Sequence, residues 1–384
     1  QLSMKKIFQV GAGLVGKTMA LDLSKNHELH LGDTNLDLLN EIKNEDQSIH
    51  IQKIDIQDKE NFRTWIADAD IVLLAVPGFL GFEALRLIIE CGKNVVDISF
   101  SPENVLSLND LAIENDVCAV VDAGVAPGIP NFFLGYWNEK IKVNSFDYMV
   151  GGLPKNPSPP FNYKAPFSPI DVIEEYTRPA RMMINSKVEI KPALSDIEEL
   201  KIDNVGILEA FNTDGLRSIL TTMSHIPNMK EKTLRYPGHA LLIQSMIDKN
   251  LFDKNNFDQT VEKLFAEWKL ENYEPEFTVL NINIYGVKQN VHYHLYDEMD
   301  MLSKSSSMAR TTGYTATATV NMLLENLWSK KGVSPPEIVG ANEPCINFLF
   351  DYLSSRNVKI SQIWYFSDKF ILVLIPNLFL LYIV

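Results

Sequence analysis

Six consecutive residues, Gly11-Ala12-Gly13-Leu14-Val15-Gly16, restrict what this chain can fold into more than any other feature of it. They lie between an apolar run, Lys5 to Val10, and a segment of helical spacing that continues to about Lys25. Between a strand and a helix each glycine has a mechanical task. Gly11 permits the tight turn, Gly13 lets a ligand approach the backbone, and Gly16 lets the helix pack close to the strand. The alternation then repeats, with strands predicted at Glu28–Asp33, Ile49–Asp55, Asp70–Val76, Asn94–Phe100 and Val117–Ala123 and a helix at Leu36–Lys43. Nearly continuous apolar strands separated by helix-length segments specify a parallel sheet covered on both faces. Residues 4–126 therefore read as an α/β domain, a Rossmann-type doubly wound parallel sheet.

A helix that starts on such a turn offers unpaired N–H groups and the positive end of its dipole, which suits a pyrophosphate. Asp33 follows Gly13 by 20 residues, at the end of the second strand. A carboxylate there accepts both ribose hydroxyl protons and repels a 2′-phosphate, so NAD is the expected cofactor, in preference to NADP. Its contacts are expected from Gly11, Gly13, Leu14, Val15, Gly16 and Asp33, although Asp33 has a rival reading as N-cap of the next helix. Ligands gather at the carboxyl edges of such sheets, which adds Val76, Pro77 and Asp122 at strand ends. Asp55 and Ile56 border the adenine in one reading, and in the other Asp55 caps a turn. Pro77 likewise serves either the crevice or only the start of a helix. Thr312, in Thr311-Thr312-Gly313, opens a later helix that faces the nicotinamide unless Thr311 simply caps it.

A net charge of −14 leaves no broad basic face for a phosphate backbone, so nucleic acid is not an expected partner. A 46% hydrophobic composition over 384 residues supports about two domains and argues against disorder. Cys91, Cys118 and Cys345 lie far apart without metal-ligand spacing, so neither a metal nor a disulfide framework is expected, and a cytoplasmic location fits. Gln1 to Ser3 ahead of Met4 read as an expression remnant or an arbitrary start, with no signal segment before the first strand. At the other end, Phe370 to Val384 is uncharged and almost wholly apolar, yet its 15 residues include Pro376 and Asn377. A spanning helix needs roughly 20 residues, so a buried terminal element or a reading-frame artefact is expected before a membrane anchor.

After Asp122-Ala123-Gly124-Val125-Ala126-Pro127-Gly128-Ile129-Pro130 the strand and helix rhythm breaks. Residues 127–304 read as an inserted domain whose strands, such as Thr278–Val287 and His292–Asp297, form one antiparallel sheet with a solvated face, covered on its other face by helices that include Asp258–Trp268. A helix from Ser305 to about Leu327 returns the chain to the first domain over 305–340, and 341–384 is left as a C-terminal segment.

Five blocks carry a resemblance: Gly151–Pro169 (GGLPKNPSPPFNYKAPFSP), Val172–Arg181 (VIEEYTRPAR), Leu208–Ser218 (LEAFNTDGLRS), Glu231–His239 (EKTLRYPGH) and Ala309–Ala318 (ARTTGYTATA). Together with the glycine turn, the chain from Met4 to about Gly340 resembles the saccharopine dehydrogenase-like amino-acid dehydrogenases, the lysine 6-dehydrogenase branch above all. Fungal-type saccharopine-forming enzymes usually carry an acid where this chain has Ala126. The resemblance ends near Lys359. It implies an inserted mixed α/β domain that shapes the substrate pocket and the dimer contact, hence a homo-oligomer acting on a small amino acid.

The resemblance further implies NAD-dependent oxidative deamination of the ε-amine of L-lysine to 2-aminoadipate 6-semialdehyde. The alternatives are a glutamate-forming saccharopine dehydrogenase and an NAD-binding sensor or assembly protein without turnover. Hydride loss from the ε-carbon requires a neutral amine, and the α-carboxylate calls for an arginine fork. Arg178, Arg181, Arg217 and Arg235 are the arginines between Pro127 and Ala309. Arg235 is the first choice for the carboxylate and Arg217 the second, each with a structural ion pair as its rival, while Arg178 and Arg181 are expected to pair with Glu174 or Glu175. His225 and His239 are candidates for proton transfer and Asp214 for pairing with the substrate cation, against structural roles for each. Tyr163 with Lys164 reads as a lid over the pocket or as a loop pinned at the dimer contact. His27, His30, His50, His292 and His294 carry no special signal.

Overall fold

Strand and helix alternate from the first residues onward because the apolar runs are too short for helices and are punctuated by glycine, asparagine and aspartate turns. The computed structural model describes residues 4–271, 273–366, 370–375 and 378–383, with side chains as far as residue 364. Gln1–Ser3, Pro376, Asn377 and Val384, which the sequence reading discussed, lie outside the described residues.

The first elements are β1 (Lys6–Val10), α1 (Leu14–Leu23), β2 (Glu28–Asp33), α2 (Leu36–Glu45), β3 (His50–Lys53), α3 (Lys59–Trp65), β4 (Ile71–Leu74), α4 (Gly78–Glu90), β5 (Val95–Asp97), α5 (Asn109–Glu114), β6 (Cys118–Val120) and α6 (Ile129–Asn138). There follow β7 (Val143–Pro154), α7 (Pro169–Thr177), β8 (Ala180–Ile184), β9 (Lys187–Lys191), β10 (Glu198–Ile202), β11 (Gly206–Asn212), α8 (Ile219–Thr222), β12 (Asn228–Arg235), α9 (His239–Asp248), α10 (Phe257–Glu267), β13 (Glu276–Gly286) and β14 (Gln289–Glu298). The chain ends with α11 (Ser307–Leu324), β15 (Gly332–Ser334), α12 (Pro336–Gly340), α13 (Glu343–Ser355), β16 (Ile360–Phe366), β17 (Phe370–Ile375) and β18 (Leu378–Ile383). Two units result: Gln1–Tyr136 with Ala309–Asn357, and Trp137–Met308 with Val358–Val384. The insert thus starts after Tyr136, ten residues later than the sequence suggests, and the return runs on to Asn357.

In the first unit the described strands form one parallel sheet in the order β15-β6-β5-β4-β1-β2-β3. Chain direction across the sheet reverses beside β1, between β2 and β4, so the glycine turn after β1 lies at the crevice where such sheets take ligands. Leu85, Ile88 and Ile89 of α4 are buried against Val72, Leu74 and Val95. Each such side chain contributes about 1.5–3 kcal/mol through burial. β2 spans the predicted Glu28–Asp33, whereas β3, β4, β5 and β6 are shorter than predicted, and at β5 a side chain ends the strand. Asp97 Oδ1 accepts from the N–H of Ser99 at 2.7 Å and its hydroxyl at 2.5 Å, which turns the chain out of β5. On the return, Asp22 of α1 accepts from Arg356 Nε at 2.8 Å, Tyr352 Oη at 2.7 Å and Thr317 Oγ1 at 2.7 Å, tying α1 to α11 and α13.

The second unit contains a sheet ordered β10-β11-β12-β7-β13-β14-β16-β17-β18, with β8 beside β12 and β9 beside β8. It is mixed: β12 and β7 run parallel, which corrects the purely antiparallel sheet expected from the sequence. The parallel pair was hidden because the two strands lie far apart in the chain, with α7, β8 to β11 and α8 between them in sequence order. Val291, Tyr293, Leu295 and Asp297 of β14 point inward with the expected period of two. Leu264 and Trp268 at the end of α10 are buried in the same core as Val279 and Phe277. Beyond Lys359, β16 pairs with β14, β17 with β16 and β18 with β17. The described part of the apolar tail therefore extends the sheet, as a terminal element of the second unit beyond the point where the resemblance ends. No helix among the described residues is long and apolar enough to cross a membrane.

Candidate functional site

At the glycine turn, backbone geometry leaves little freedom. Gly11 has φ +109°, and a Cβ there would meet Ala75 O at 2.1 Å, so both conformation and space require glycine. A Cβ on Gly16 would meet Gly11 O at 2.3 Å, so this glycine lets the helix sit on its own turn. Gly13 is different: a Cβ there would find nothing within 4 Å, and the residue is exposed. It is the N-cap of α1 and supplies no side-chain cap. An uncapped helix N-terminus facing open space fits a pyrophosphate. Asp33 Oδ2 accepts from Ala12 N and Oδ1 from Asn35 N, both at 2.8 Å, which fixes the carboxylate at the mouth of the turn. The N-cap of α2 is Asn35, not Asp33, so the capping alternative for Asp33 falls. Gln9, which the sequence reading does not single out, is fully buried in β1 among Ile7, Phe8 and Val10. Its Nε2 donates to Gly11 O at 3.0 Å and Gly16 O at 2.7 Å, bracing the turn from below.

In the second unit, Glu231, Thr233 and Arg235 alternate along β12 and so share one face. Around them lies a buried polar chain. Arg235 Nε donates to Tyr176 Oη at 2.8 Å, and Tyr176 Oη lies 2.9 Å from His239 Nε2. His239 Nδ1 is 2.8 Å from Phe161 O, which can only accept, so Nδ1 carries the proton and Nε2 receives that of Tyr176. Burial, reinforced by the Arg235 charge, pushes the His239 imidazole down to about 3 and keeps it neutral. The Arg235 guanidinium also stands 4.4 Å from the centre of the Tyr163 ring and 3.7 Å from Glu175 Oε2. At the other end, Thr213 Oγ1 contacts Glu231 at 2.7 and 2.8 Å and Thr233 Oγ1 at 2.7 Å, and Thr233 donates to Glu175 Oε1 at 2.9 Å. Burial first, then the Glu175 charge, raises the Glu231 carboxyl to about 8. A protonated Glu231 then donates to Thr213, Thr213 to Thr233 and Thr233 to Glu175, a direction that uses each hydroxyl proton once. The network is anchored from α9, where Glu209 accepts from Gly238 N at 2.9 Å and Ala240 N at 2.6 Å and so caps the helix that begins at His239.

Comparison with known proteins matches residues 7–120 to the saccharopine dehydrogenase NADP binding domain and residues 124–356 to the saccharopine dehydrogenase C-terminal domain. The chain belongs to the saccharopine dehydrogenase family. Among its relatives is the mitochondrial alpha-aminoadipic semialdehyde synthase of Rattus norvegicus, 20% identical over 273 residues, which make up 66% of this chain and 29% of that protein. Another is the alpha-aminoadipic semialdehyde synthase of Arabidopsis thaliana, 25% identical over 222 residues, 52% of this chain and 20% of that protein. The chain thus spans less than a third of these relatives. Its fold is similar to that of the L-Glu-forming saccharopine dehydrogenase of Saccharomyces cerevisiae in its apo form, with TM-score 0.76 at 16% identity, covering 94% of this chain and 100% of that one.

In this member of the saccharopine dehydrogenase family, several shared blocks have clear packing duties. A Cβ on Gly151 would meet Leu234 O at 2.7 Å, and one on Gly215 would meet the Glu231 carboxyl at 2.6 Å. Of the six insert residues singled out from sequence, the fold gathers Arg235, Tyr163 and His239 and leaves the other three elsewhere. Arg235 is buried among its own donors' acceptors, Leu234 O at 2.9 Å included, so a substrate carboxylate is replaced by internal partners. Tyr163 is 2% exposed and packs against Trp268 and His239, a core position that corrects the lid reading. His239 is a satisfied interior group, not an accessible base. Asp214 accepts from Arg181 Nε and Nη2, both at 2.9 Å, which occupies the carboxylate meant for the substrate cation and corrects the pairing expected for Arg181. Arg178 does pair with Glu174, at 3.0 Å. His225 is exposed, 2.7 Å from Asn138 Oδ1, at the opposite end of β12 from Arg235. Arg217 is half-buried, with left-handed backbone at φ +50°, in the turn after β11.

In the first unit, Asp55 Oδ1 accepts from Gln57 N at 2.9 Å, the turn-capping geometry, with Ile56 half-buried next to it. Pro77 is the N-cap of α4, and Val76 before it is half-buried. Asp122 is buried with φ +54°, just past β6. Thr312 lies inside α11, which begins at Ser307, so neither it nor Thr311 opens the helix. Its Oγ1 accepts from Val125 N at 3.4 Å. Of the residues missing from the sequence reading of this network, Glu231 had an available signal, polar residues two apart on the strand β12, whereas Glu175 and Tyr176 on α7 and Thr213 just past β11 had none.

Proposed function

We propose that this chain oxidises the ε-carbon of L-lysine with NAD, yielding 2-aminoadipate 6-semialdehyde and ammonia. The observation that carries the coenzyme part is the uncapped α1 N-terminus with Asp33 held beside it by Ala12 N and Asn35 N. Asp33 would hold the ribose hydroxyls, and the backbone around Gly13 the pyrophosphate; the carboxylate disfavours a 2′-phosphate, although the matched family domain is described as NADP binding. When bound, the nicotinamide supplies the hydride acceptor. A lysine amine titrates at about 10.4 in water, so apolar surroundings that favour its neutral form would supply the lone pair that forms the imine. Water then hydrolyses the imine.

The insert's arginines support lysine over a larger anionic substrate. Arg178, Arg181 and Arg235 stand 3.0, 2.9 and 3.7 Å from protein carboxylates. Saccharopine carries three carboxylates against lysine's one, so its pocket would call for more bidentate arginine partners, or for lysines in their place. With Arg235 enclosed, the α-carboxylate is assigned to Arg217, the next arginine of the sequence reading. The family descriptions and the fold likeness favour a second reading, oxidation of saccharopine. An absorbance assay at the reduced-nicotinamide band with lysine, cadaverine and saccharopine separates them. The proposal expects turnover with lysine, little with cadaverine and none with saccharopine. Turnover of saccharopine alone would establish the second reading, and turnover of none would leave a coenzyme-binding protein without catalysis.

A further inference from the structure

We infer that Glu28, His30 and His50 form a binding site for a divalent transition metal of the zinc class. Glu28 and His30 are two residues apart on β2 and therefore project from the same face, and His50 is the direct register partner of His30 on the neighbouring β3. One ligand atom from each of the three lies within 4.8 Å of the others. His30 Nε2 is already 2.9 Å from Glu28 Oε1. Zinc bonds of about 2.0–2.2 Å place neighbouring donors roughly 3.4 Å apart, so drawing in the exposed His50 ring by about 1 Å completes a three-ligand set. Two imidazoles and a carboxylate suit zinc, and solvent would fill the remaining position.

The ring positions are already constrained. His30 stacks on Phe8 at 4.3 Å with 5° between the planes, and on His50 at 4.7 Å. Lys6, the register partner of Glu28, brings one positive charge that works against the cation. The site lies at the amino ends of the strands, whereas Asp33 is at the carboxyl end of β2, so metal and coenzyme would not compete. A metal here would stitch the edge strand β3 to β2, protecting an edge that is otherwise only four residues long.

The test is titration of tag-free full-length protein with zinc chloride, and with cobalt chloride for its visible absorption. One saturable equivalent is expected, with a tetrahedral-type cobalt spectrum and a metal-dependent rise in melting temperature. His50→Ala and Glu28→Gln should each weaken binding by roughly tenfold or more and remove the rise. Both substitutions are at the sheet's solvent side, and an unchanged melting temperature without metal verifies that the variants fold. Absence of saturable binding in the wild type, or unchanged affinity in both folded variants, would overturn the assignment.

Discussion

Asp33 is the residue on which the proposed coenzyme choice turns, and the two hydrogen bonds it accepts from Ala12 N and Asn35 N make the consequence of changing it specific. Asp33→Asn keeps an acceptor for one backbone N–H but removes the charge. NAD affinity should fall by about 1.5–3 kcal/mol, the scale of a hydrogen bond to a charged group, while NADP affinity should hold or improve. Fluorescence titration with both coenzymes reads the ratio; an unchanged ratio would mean that Asp33 does not select. Glu231 makes a prediction of a different kind. Its folded value of about 8 stands above the ordinary 4.5, so between those pH values the unfolded chain gives up a proton that the folded chain keeps. Its contribution to stability is fully present below about pH 4.5, falls as pH rises and levels off above about 8. Glu231→Gln should therefore be near neutral at pH 5 and gain on the wild type by pH 9. His239 tilts the other way: held at about 3 against an ordinary 6.5, it favours the fold above pH 6.5 and loses that contribution as pH falls toward 3. Thermal melts across pH 5 to 9 check the Glu231 slope, and a parallel wild-type and variant profile would refute it.

Between elements, Asp22 links α1 to α11 and α13 through one carboxylate. Its carboxylate, 2% exposed, is shared by Arg356, Tyr352 and Thr317, so Asp22→Ala leaves a guanidinium and two hydroxyls without their common partner. A loss of about 3–5 kcal/mol is expected in denaturant unfolding, and a change under 1 kcal/mol would show that the helices hold without it. The terminal strands give a second test at this scale. Truncation after Lys359 removes β16 and bares β14, so melting temperature should drop and aggregation increase; a truncated chain that melts like the full one would show that β16 adds nothing. The sequence alone did not place these strands, because an apolar tail without turns of polar residues gives no register. Element type was legible wherever the period was clean, as in β13 and β14. The start of α11 was legible to within two residues, at Ser305 against Ser307, whereas Thr311 and Thr312 look like caps but lie in its second turn. β15 is three residues long and shows no pattern of its own.

For the molecule as a whole, the glycine turn could be read from sequence because the left-handed backbone of Gly11 and the approach of Gly16 to Gly11 O are demands set within a few residues. The interior of the insert could not, because Arg235, Tyr163 and His239 owe their roles to partners from distant strands and helices, and a sequence does not distinguish a buried arginine from a substrate clamp. The proposed chemistry at this scale is a hydride transfer from the ε-carbon of lysine to the nicotinamide. Lysine carrying deuterium at the ε-carbon, incubated with NAD and the full-length protein, tests this directly by mass spectrometry of the reduced coenzyme. The account predicts one deuterium in the coenzyme, with aminoadipate semialdehyde and ammonia formed in equal amount. Unlabelled coenzyme, or none reduced while saccharopine is turned over, would contradict it.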